Sequence, residues 1–424
     1  MAKLIVENGG PLYGEVQISG AKNAVLPLMA ATLLTEEKCV IDGVPDLADV
    51  KVMKGMLENF GATVVDDGNG LLEITASQIR TVNGDRKLVT EMRASTVAMG
   101  PLLARCGKVV MPLPGGCAIG KRPIDLHLKG FRALGATVIE DDENEQVIVT
   151  AGPKGLVGDA IYLDFPSVGA TENILMASTM AAGTTIIENA AKEPEIVDLA
   201  NQLNKMGAKI KGAGTDTIRV TGVERMGGSI HSVIPDRIET GTFMLAAAIT
   251  RGEILVKNAL PGHVRPIIAK LKECGVEVET VDDGIYVNAR DKELIATNIK
   301  TLPYPGFPTD IQSPFMAFLT TVKGKSEVKE TVFENRFMHV NELNRMGADI
   351  TIENRIAYIP GGKTLHGAKV RATDLRAGAA MVLAGLAAEG KTEVSEIYHI
   401  ERGYEKFVEK FTGLGALLTR VDED

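Results

Sequence analysis

Six near-copies of one short motif divide this chain into units of about 70 residues. LENFGATVV, FRALGATVI, LNKMGAKI, LKECGVEV, LNRMGADI and FTGLGALL place glycines at 61, 135, 207, 275, 347 and 415, separated by 74, 72, 68, 72 and 68 residues. A repeat of this length constrains the fold more than composition does, because each unit must be a block that buries its apolar face against its neighbours. Each copy reads as the end of an amphipathic helix, a glycine that stops it, and the entry to a strand. Ahead of each lies a helix with almost no polar face: VLPLMAATLL, TVAMGPLLA, NILMASTMAA, GTFMLAAAI, PFMAFLTTV and GAAMVLAGLAA. Such helices belong in a core. After each glycine comes a hairpin signal with Asp, Gly or Asn at the turn, as in TVVDDGNGLLEIT.

The unit is therefore a buried helix, a strand, an exposed helix and a hairpin. Buried helices wrapped by sheets and outer helices predict an α/β fold of two inside-out α/β barrels, with three units in each. The sixth copy, ending ALLTRVDED, has no return strand after it. The β-branched KLIVEN near residue 1 is expected to supply that missing edge. The second domain is then discontinuous, which sets the expected domains at 22–230 and at 1–21 plus 231–424.

With 424 residues, 45% apolar and 24% charged, the chain has the composition of a soluble globular protein of two or more domains. A net charge of −9 argues against a nucleic-acid partner, while leaving local anion sites open. The start MAKLIVENGG lacks the pattern of a secretory signal, and the longest apolar run falls far short of a membrane span. These features predict a cytoplasmic protein with no membrane partner. Four cysteines, at 39, 106, 117 and 274, show no CxxC spacing and the six histidines no HExxH pattern, so neither a metal nor a disulfide framework is expected. Cys39, Cys106 and Cys274 read as core filler.

Cys117 differs. It sits in PLPGGCAIGKRPIDLH, where Gly115, Gly116 and Gly120 oppose a regular element and Lys121 and Arg122 follow closely. A free thiol titrates near ~8.5, and nearby cations favour its thiolate. Either this is a loop poised for proton or nucleophile chemistry, or the cysteine has no role.

A second set of candidates occupies equivalent places just before the buried helices: Lys22-Asn23, Arg93, Ser167 to Glu172, Asp236 to Glu239, Thr309-Asp310 and Asp374 to Arg376. Helix N-termini carry partial positive charge and unpaired N–H groups, which favours an anionic ligand. Ordinary capping explains Asp, Ser and Asn at such places equally well. Lys22, Arg93 and Arg376 are poor caps, because a cation there opposes the helix dipole, and this tilts the reading toward ligand binding.

Seven stretches, SGAKNAVLP (19–27), EMRASTVAMGPLLAR (91–105), PGGCAIGKRPIDLH (114–127), SVGATEN (167–173), FPTDIQ (307–312), ATDLRAGAA (372–380) and ERGYE (401–405), resemble the UDP-N-acetylglucosamine 1-carboxyvinyltransferase (MurA) family of enolpyruvyl transferases. The likeness covers the whole chain in order. It implies transfer of the enolpyruvyl group of phosphoenolpyruvate to the 3-hydroxyl of UDP-N-acetylglucosamine with release of phosphate, the first committed step of peptidoglycan synthesis. It also implies no cofactor. The sugar hydroxyl adds to C2 of the enol as C3 takes a proton, and the ketal then loses phosphate and a C3 proton, so an acid and a base are both needed.

By the same resemblance, Cys117 protonates C3, is the site at which the antibiotic fosfomycin reacts, and can add to phosphoenolpyruvate. Asp310 takes the hydroxyl proton. Acid and base on different domains would make closure a condition of turnover. Lys22, Asn23, Arg122, Arg402 and Cys117 correspond to phosphoenolpyruvate-binding positions, with Lys22 and Arg402 also catalytic. Arg93, Arg122, Pro123, Ile124, Asp125, Leu126, Ser167, Val168, Gly169, Asp310 and Val332 correspond to positions that hold the sugar nucleotide, Val332 through its backbone. Asp374 and Arg376 support the cleft. Many relatives carry a lysine two residues before the serine of SVGATE, where this chain has Phe165, which puts one nucleotide contact in question. Two self-sufficient domains suggest a monomer. The rival readings are the shikimate-pathway enolpyruvyl transferase, whose lysine motif resembles GDKSxxxR and which lacks the loop cysteine, and a catalytically silent sugar-nucleotide-binding relative.

Overall fold

The computed structural model describes residues 2–113 and 124–422. The chain forms two compact parts, one from residues 2–19 with 235–422 and the other from residues 20–113 with 124–234. Each is an inside-out α/β assembly in which three helices fill the middle and sheets with amphipathic helices surround them.

In the first part the central helices are Arg237–Ile249, Gln312–Thr321 and Leu375–Ala387, which pack on one another. Every residue from Ile238 to Ile249 is buried. Lacking a polar face, these helices are stable only inside a core, where each large apolar side chain contributes about 1.5–3 kcal/mol. In the second part the same place is taken by Lys22–Ala31, by the 3₁₀ turns Arg93–Ala98 running into Met99–Cys106, and by Val168–Ser178. Glycine permits the closest approaches here. A Cβ on Gly100 would lie 2.3 Å from the carbonyl oxygen of Asn173, and one on Gly130 would lie 2.2 Å from Ile174 Cδ1.

The six repeat glycines all adopt left-handed backbone, with φ between 84° and 111°, so the motif marks a real helix stop in every unit. The strands follow one plan. The strand after the central helix pairs antiparallel with the return strand of the hairpin, and the other hairpin strand lies outside that. A further short strand runs parallel on the opposite edge, as Ala160–Tyr162 does beside Thr184–Glu188. Each part closes on itself through this position. Ile230–Ser232 returns to pair with Cys39–Asp42, and Tyr13–Gln17 pairs with Glu253–Lys257. The second unit differs, since a parallel bridge between Asn83 and Val110 replaces the extra strand.

The sixth sheet has the order Lys369–Arg371, Lys391–Ser395, Ala2–Glu7, Leu417–Asp422. The N-terminal strand does complete the last unit, but from inside the sheet and not at its edge. Leu4 pairs with both Val394 and Arg420, and Leu4 and Val6 point into the core. It takes the place of the absent return strand, which is central in every unit.

One cysteine departs from expectation. Cys39 and Cys274 are buried, whereas Cys106 is exposed. It ends the helix Met99–Cys106 just before Gly107, at φ 69°, where the chain leaves the core.

Candidate active site

Asp310 lies in a 3₁₀ turn, Thr309–Ile311, that feeds the helix Gln312–Thr321. Its Oδ1 is 2.8 Å from Arg336 Nη2, and its Oδ2 is 3.1 Å from Arg376 Nη2 and 3.2 Å from Arg376 Nε. The guanidinium groups are 5% and 2% exposed and the carboxylate 24%, so the anion is the accessible member of a buried cationic clamp. Arg376 opens the helix that Asp374 caps by accepting from the backbone N–H groups of Arg376 (2.9 Å) and Ala377 (3.1 Å). The Arg376 guanidinium carbon stands 5.4 Å from the Tyr404 ring centre, and the Tyr404 hydroxyl shares a 2.9 Å hydrogen bond with Thr242 Oγ1. Burial opposes the Arg376 charge, but Asp310, Tyr404 and Asp236 outweigh it and raise its pKa. Asp236 caps the third central helix, accepting from Ile238 N at 2.7 Å and Glu239 N at 2.9 Å. The starts of all three helices thus gather at one end of this part.

Val332 donates its N–H to Glu330 Oε1 at 2.7 Å, so a backbone contact from Val332 to a ligand must use its carbonyl. Arg402 closes the short helix Tyr398–Glu401, two residues before Tyr404, and is half-buried. Burial, and then the Arg402 charge, lower the pKa of His399.

In the other part, Lys22 Nζ is 2.7 Å from Asp49 Oδ2, with side chains 10% and 4% exposed. This corrects the sequence argument. The charges of Lys22 and Arg376 were read as ill-placed for capping and therefore meant for a ligand, yet each already faces a carboxylate, Asp49 or Asp310. Asn23 beside Lys22 is half-buried. Arg93, half-buried at the start of its 3₁₀ turns, acts on His127. His127 lies one turn into the helix Asp125–Ala133, just after Ile124, Asp125 and Leu126. Ser167 caps Val168–Ser178, accepting from Ala170 N at 3.3 Å, and a Cβ on Gly169 would meet His127 Cε1 at 3.1 Å. The structure therefore brings Arg93, the start of helix 125–133 and the 167–169 turn around one imidazole.

Asn173 fixes the state of that imidazole. Its Oδ1 accepts from Gly100 N at 2.6 Å, while its Nδ2 donates to Thr96 O at 2.9 Å and meets His127 Nδ1 at 2.8 Å. The amide is a donor at Nδ1, so His127 is neutral with its proton on Nε2. Burial, reinforced by the Arg93 charge, lowers its pKa to about 4. The unfolded chain then takes up a proton first as pH falls through ~6.5, so the contribution of neutral His127 is complete above that value and declines until the folded protein also protonates near 4. The stability advantage of wild type over His127→Gln is expected to shrink by about 2 kcal/mol between about pH 7 and about pH 4.5. Urea unfolding at the two pH values measures this, and an unchanged difference would contradict the neutral assignment.

Phe165 is 42% exposed, and its carbonyl accepts from Ser167 N at 2.7 Å. Cys117, Lys121, Arg122 and Pro123 lie outside the described residues. Among the described residues, no group of three or more His, Cys, Asp or Glu is arranged to hold a metal ion, and no helix is long and apolar enough to cross a membrane.

Asp49, His127, Asn173, Glu330 and Arg336 were missed as contributors. A signal existed for two of them. The segment between the strand and the outer helix carries Arg122 in the second unit and Arg402 in the sixth, and Asp49 and Arg336 fall at the corresponding places of the first and fifth.

Residues 6–411 match the family described as EPSP synthase (3-phosphoshikimate 1-carboxyvinyltransferase). A curated relative of Caldanaerobacter subterraneus subsp. tengcongensis, UDP-N-acetylglucosamine 1-carboxyvinyltransferase 1, is 57% identical over 99% of both chains. The chain belongs to the UDP-N-acetylglucosamine 1-carboxyvinyltransferase family. Other members, from Finegoldia magna and Staphylococcus aureus, are 56% and 51% identical over 97% and 100% of both chains. Among solved structures, the enolpyruvyl transferase NikO of Streptomyces tendae superposes with a TM-score of 0.88 at 24% identity, covering 100% of this chain and 99% of that one. EPSP synthase of Acinetobacter baumannii gives 0.78 at 18%, covering 100% of both. At such identities these likenesses speak to the fold, and the carboxyvinyltransferase family shares it.

Proposed function

We propose that Asp310 and Cys117 are the base and the acid of this enzyme. The chain is an enolpyruvyl transferase that moves the enolpyruvyl group of phosphoenolpyruvate to UDP-N-acetylglucosamine for peptidoglycan synthesis. The observation that carries this activity is identity above half, over nearly the full length, to relatives named for it.

Asp310 removes the proton of the sugar 3-hydroxyl as that oxygen attacks C2, and Cys117 delivers a proton to C3. Proton removal from C3 and departure of phosphate then restore the enol. Arg336 and Arg376 each engage one Asp310 oxygen, and each oxygen keeps a further lone pair for the hydroxyl. Lys22, Asn23, Arg122 and Arg402 hold the phosphate and carboxylate of phosphoenolpyruvate. Arg93, Arg122 to Leu126, Ser167 to Gly169, Asp310 and Val332 hold the sugar nucleotide, and Asp374 with Arg376 braces the base. The start of the helix Val168–Ser178 favours the diphosphate by its dipole and N–H groups. We further propose that the enzyme works as a monomer in the cytoplasm.

Substrate competition tests the reading. The purified protein with phosphoenolpyruvate should release phosphate when given UDP-N-acetylglucosamine and not when given shikimate 3-phosphate. Release with shikimate 3-phosphate alone would favour the rival enzyme, and release with neither would favour a silent binder.

A further inference from the structure

Glu330 is 1% exposed and follows the strand Ser326–Lys329, which runs parallel to Ile299–Lys300. Its Oε1 accepts from Thr301 Oγ1 (2.9 Å), Val332 N (2.7 Å) and Phe333 N (3.0 Å), and its Oε2 accepts from Thr309 Oγ1 (2.9 Å). Thr309 Oγ1 in turn accepts from Arg336 Nη1 at 2.9 Å, and the other arm of Arg336 holds Asp310. The direction of this relay is forced. A guanidinium only donates and a carboxylate only accepts, so the Thr309 hydroxyl must accept from Arg336 and donate to Glu330.

We propose that Glu330 is the positioning residue that sets two functional groups at once. Through Thr309 and Arg336 it orients the Asp310 carboxylate, and through the Val332 and Phe333 N–H groups it aims the Val332 carbonyl. The inference rests on Asp310 being the base. A buried carboxylate is costly unless its lone pairs are filled, and here they are filled by groups from the Asp310 turn and the Val332 loop. Replacing the acid by its amide discriminates between the two arms. The amide oxygen stays on the side of the two N–H donors, where an NH₂ group would meet donors. The NH₂ group then faces Thr309, whose oxygen already accepts from Arg336 and whose proton loses its acceptor.

Glu330→Gln, Glu330→Ala, Thr309→Val and the double variant Thr309→Val/Glu330→Gln should be compared in the full-length enzyme by kcat, by KM for UDP-N-acetylglucosamine, by the pH profile of kcat and by thermal melting. Glu330→Gln and Thr309→Val are expected to lower kcat about tenfold with KM changed less than about threefold, and to move the acid limb upward as Arg336 loosens its hold on Asp310. The double variant should be no worse than Glu330→Gln, since both changes break one relay. Glu330→Ala should also raise KM, by about tenfold. A residue of purely structural value would lower kcat with the folded fraction and leave KM and the acid limb in place, which would overturn the proposal. Additive losses in the double variant would overturn the relay. Asp310→Asn separates the two claims. If it is active, the reading of the base fails; if it is inactive while Glu330→Gln and Thr309→Val behave as wild type, only this inference fails.

Discussion

Asp310→Asn is expected to lose turnover by about 10²–10⁴-fold, the usual range for removal of a general base. Much of the affinity for UDP-N-acetylglucosamine should remain, because the amide can still hydrogen-bond the sugar hydroxyl that it can no longer deprotonate. The clamp adds a second consequence. Arg336 and Arg376 are almost wholly buried on either side of this carboxylate, and removing its charge leaves two guanidinium groups facing each other without their shared anion. Breaking a buried ion pair from one side typically costs about 3–5 kcal/mol, and partial exposure of Asp310 reduces that figure here. The variant should therefore melt at a lower temperature as well as turn over more slowly, and the two effects separate by measuring kcat on material shown to be folded at the assay temperature. Near-wild-type turnover in folded Asp310→Asn would remove Asp310 from the role of base.

The parts of this enzyme that were legible in its sequence are those with a local signature. A helix stop that needs left-handed backbone is written as glycine, so the six repeats could be found from Gly61, Gly135, Gly207, Gly275, Gly347 and Gly415, and their φ values bear this out. Central helices announce themselves by lacking a polar face, and the convergence of the Asp236, Asp310 and Asp374 helix starts follows from placing equivalent residues at equivalent corners. Partners were not legible. Lys22 finds Asp49, Asp310 finds Arg336 and Arg376, and His127 finds Asn173 only after separate units have packed, and nothing within a helical turn of either partner predicts the pairing. The same limit explains the N-terminal strand. Its β character was readable, while its place between Lys391–Ser395 and Leu417–Asp422 depends on which slot the sixth unit leaves vacant.

Cys117→Asp is expected to retain measurable turnover with an altered pH profile and to resist fosfomycin. The glycines at 115, 116 and 120 and the cations at 121 and 122 motivate a group there that exchanges protons near neutral pH. A carboxyl of similar reach can still protonate C3 if its surroundings raise its pKa, but it is a far weaker nucleophile toward an epoxide than a thiolate. Cys117→Ala has no group that titrates and should fall by about 10²–10⁴-fold. The other three cysteines make the test clean, because all are poor thiolate sources. Burial raises the thiol pKa of Cys39, of Cys106 despite its exposed position, and of Cys274, which reaches about 12. Mass spectrometry of the fosfomycin-treated wild type should place the adduct on the peptide containing Cys117. An adduct on Cys39, Cys106 or Cys274, or normal turnover by Cys117→Ala, would show that the proton at C3 comes from elsewhere. Inactivity of Cys117→Asp beside an equally inactive Cys117→Ala would instead show that the thiol's nucleophilicity, and not its proton, is what the reaction requires.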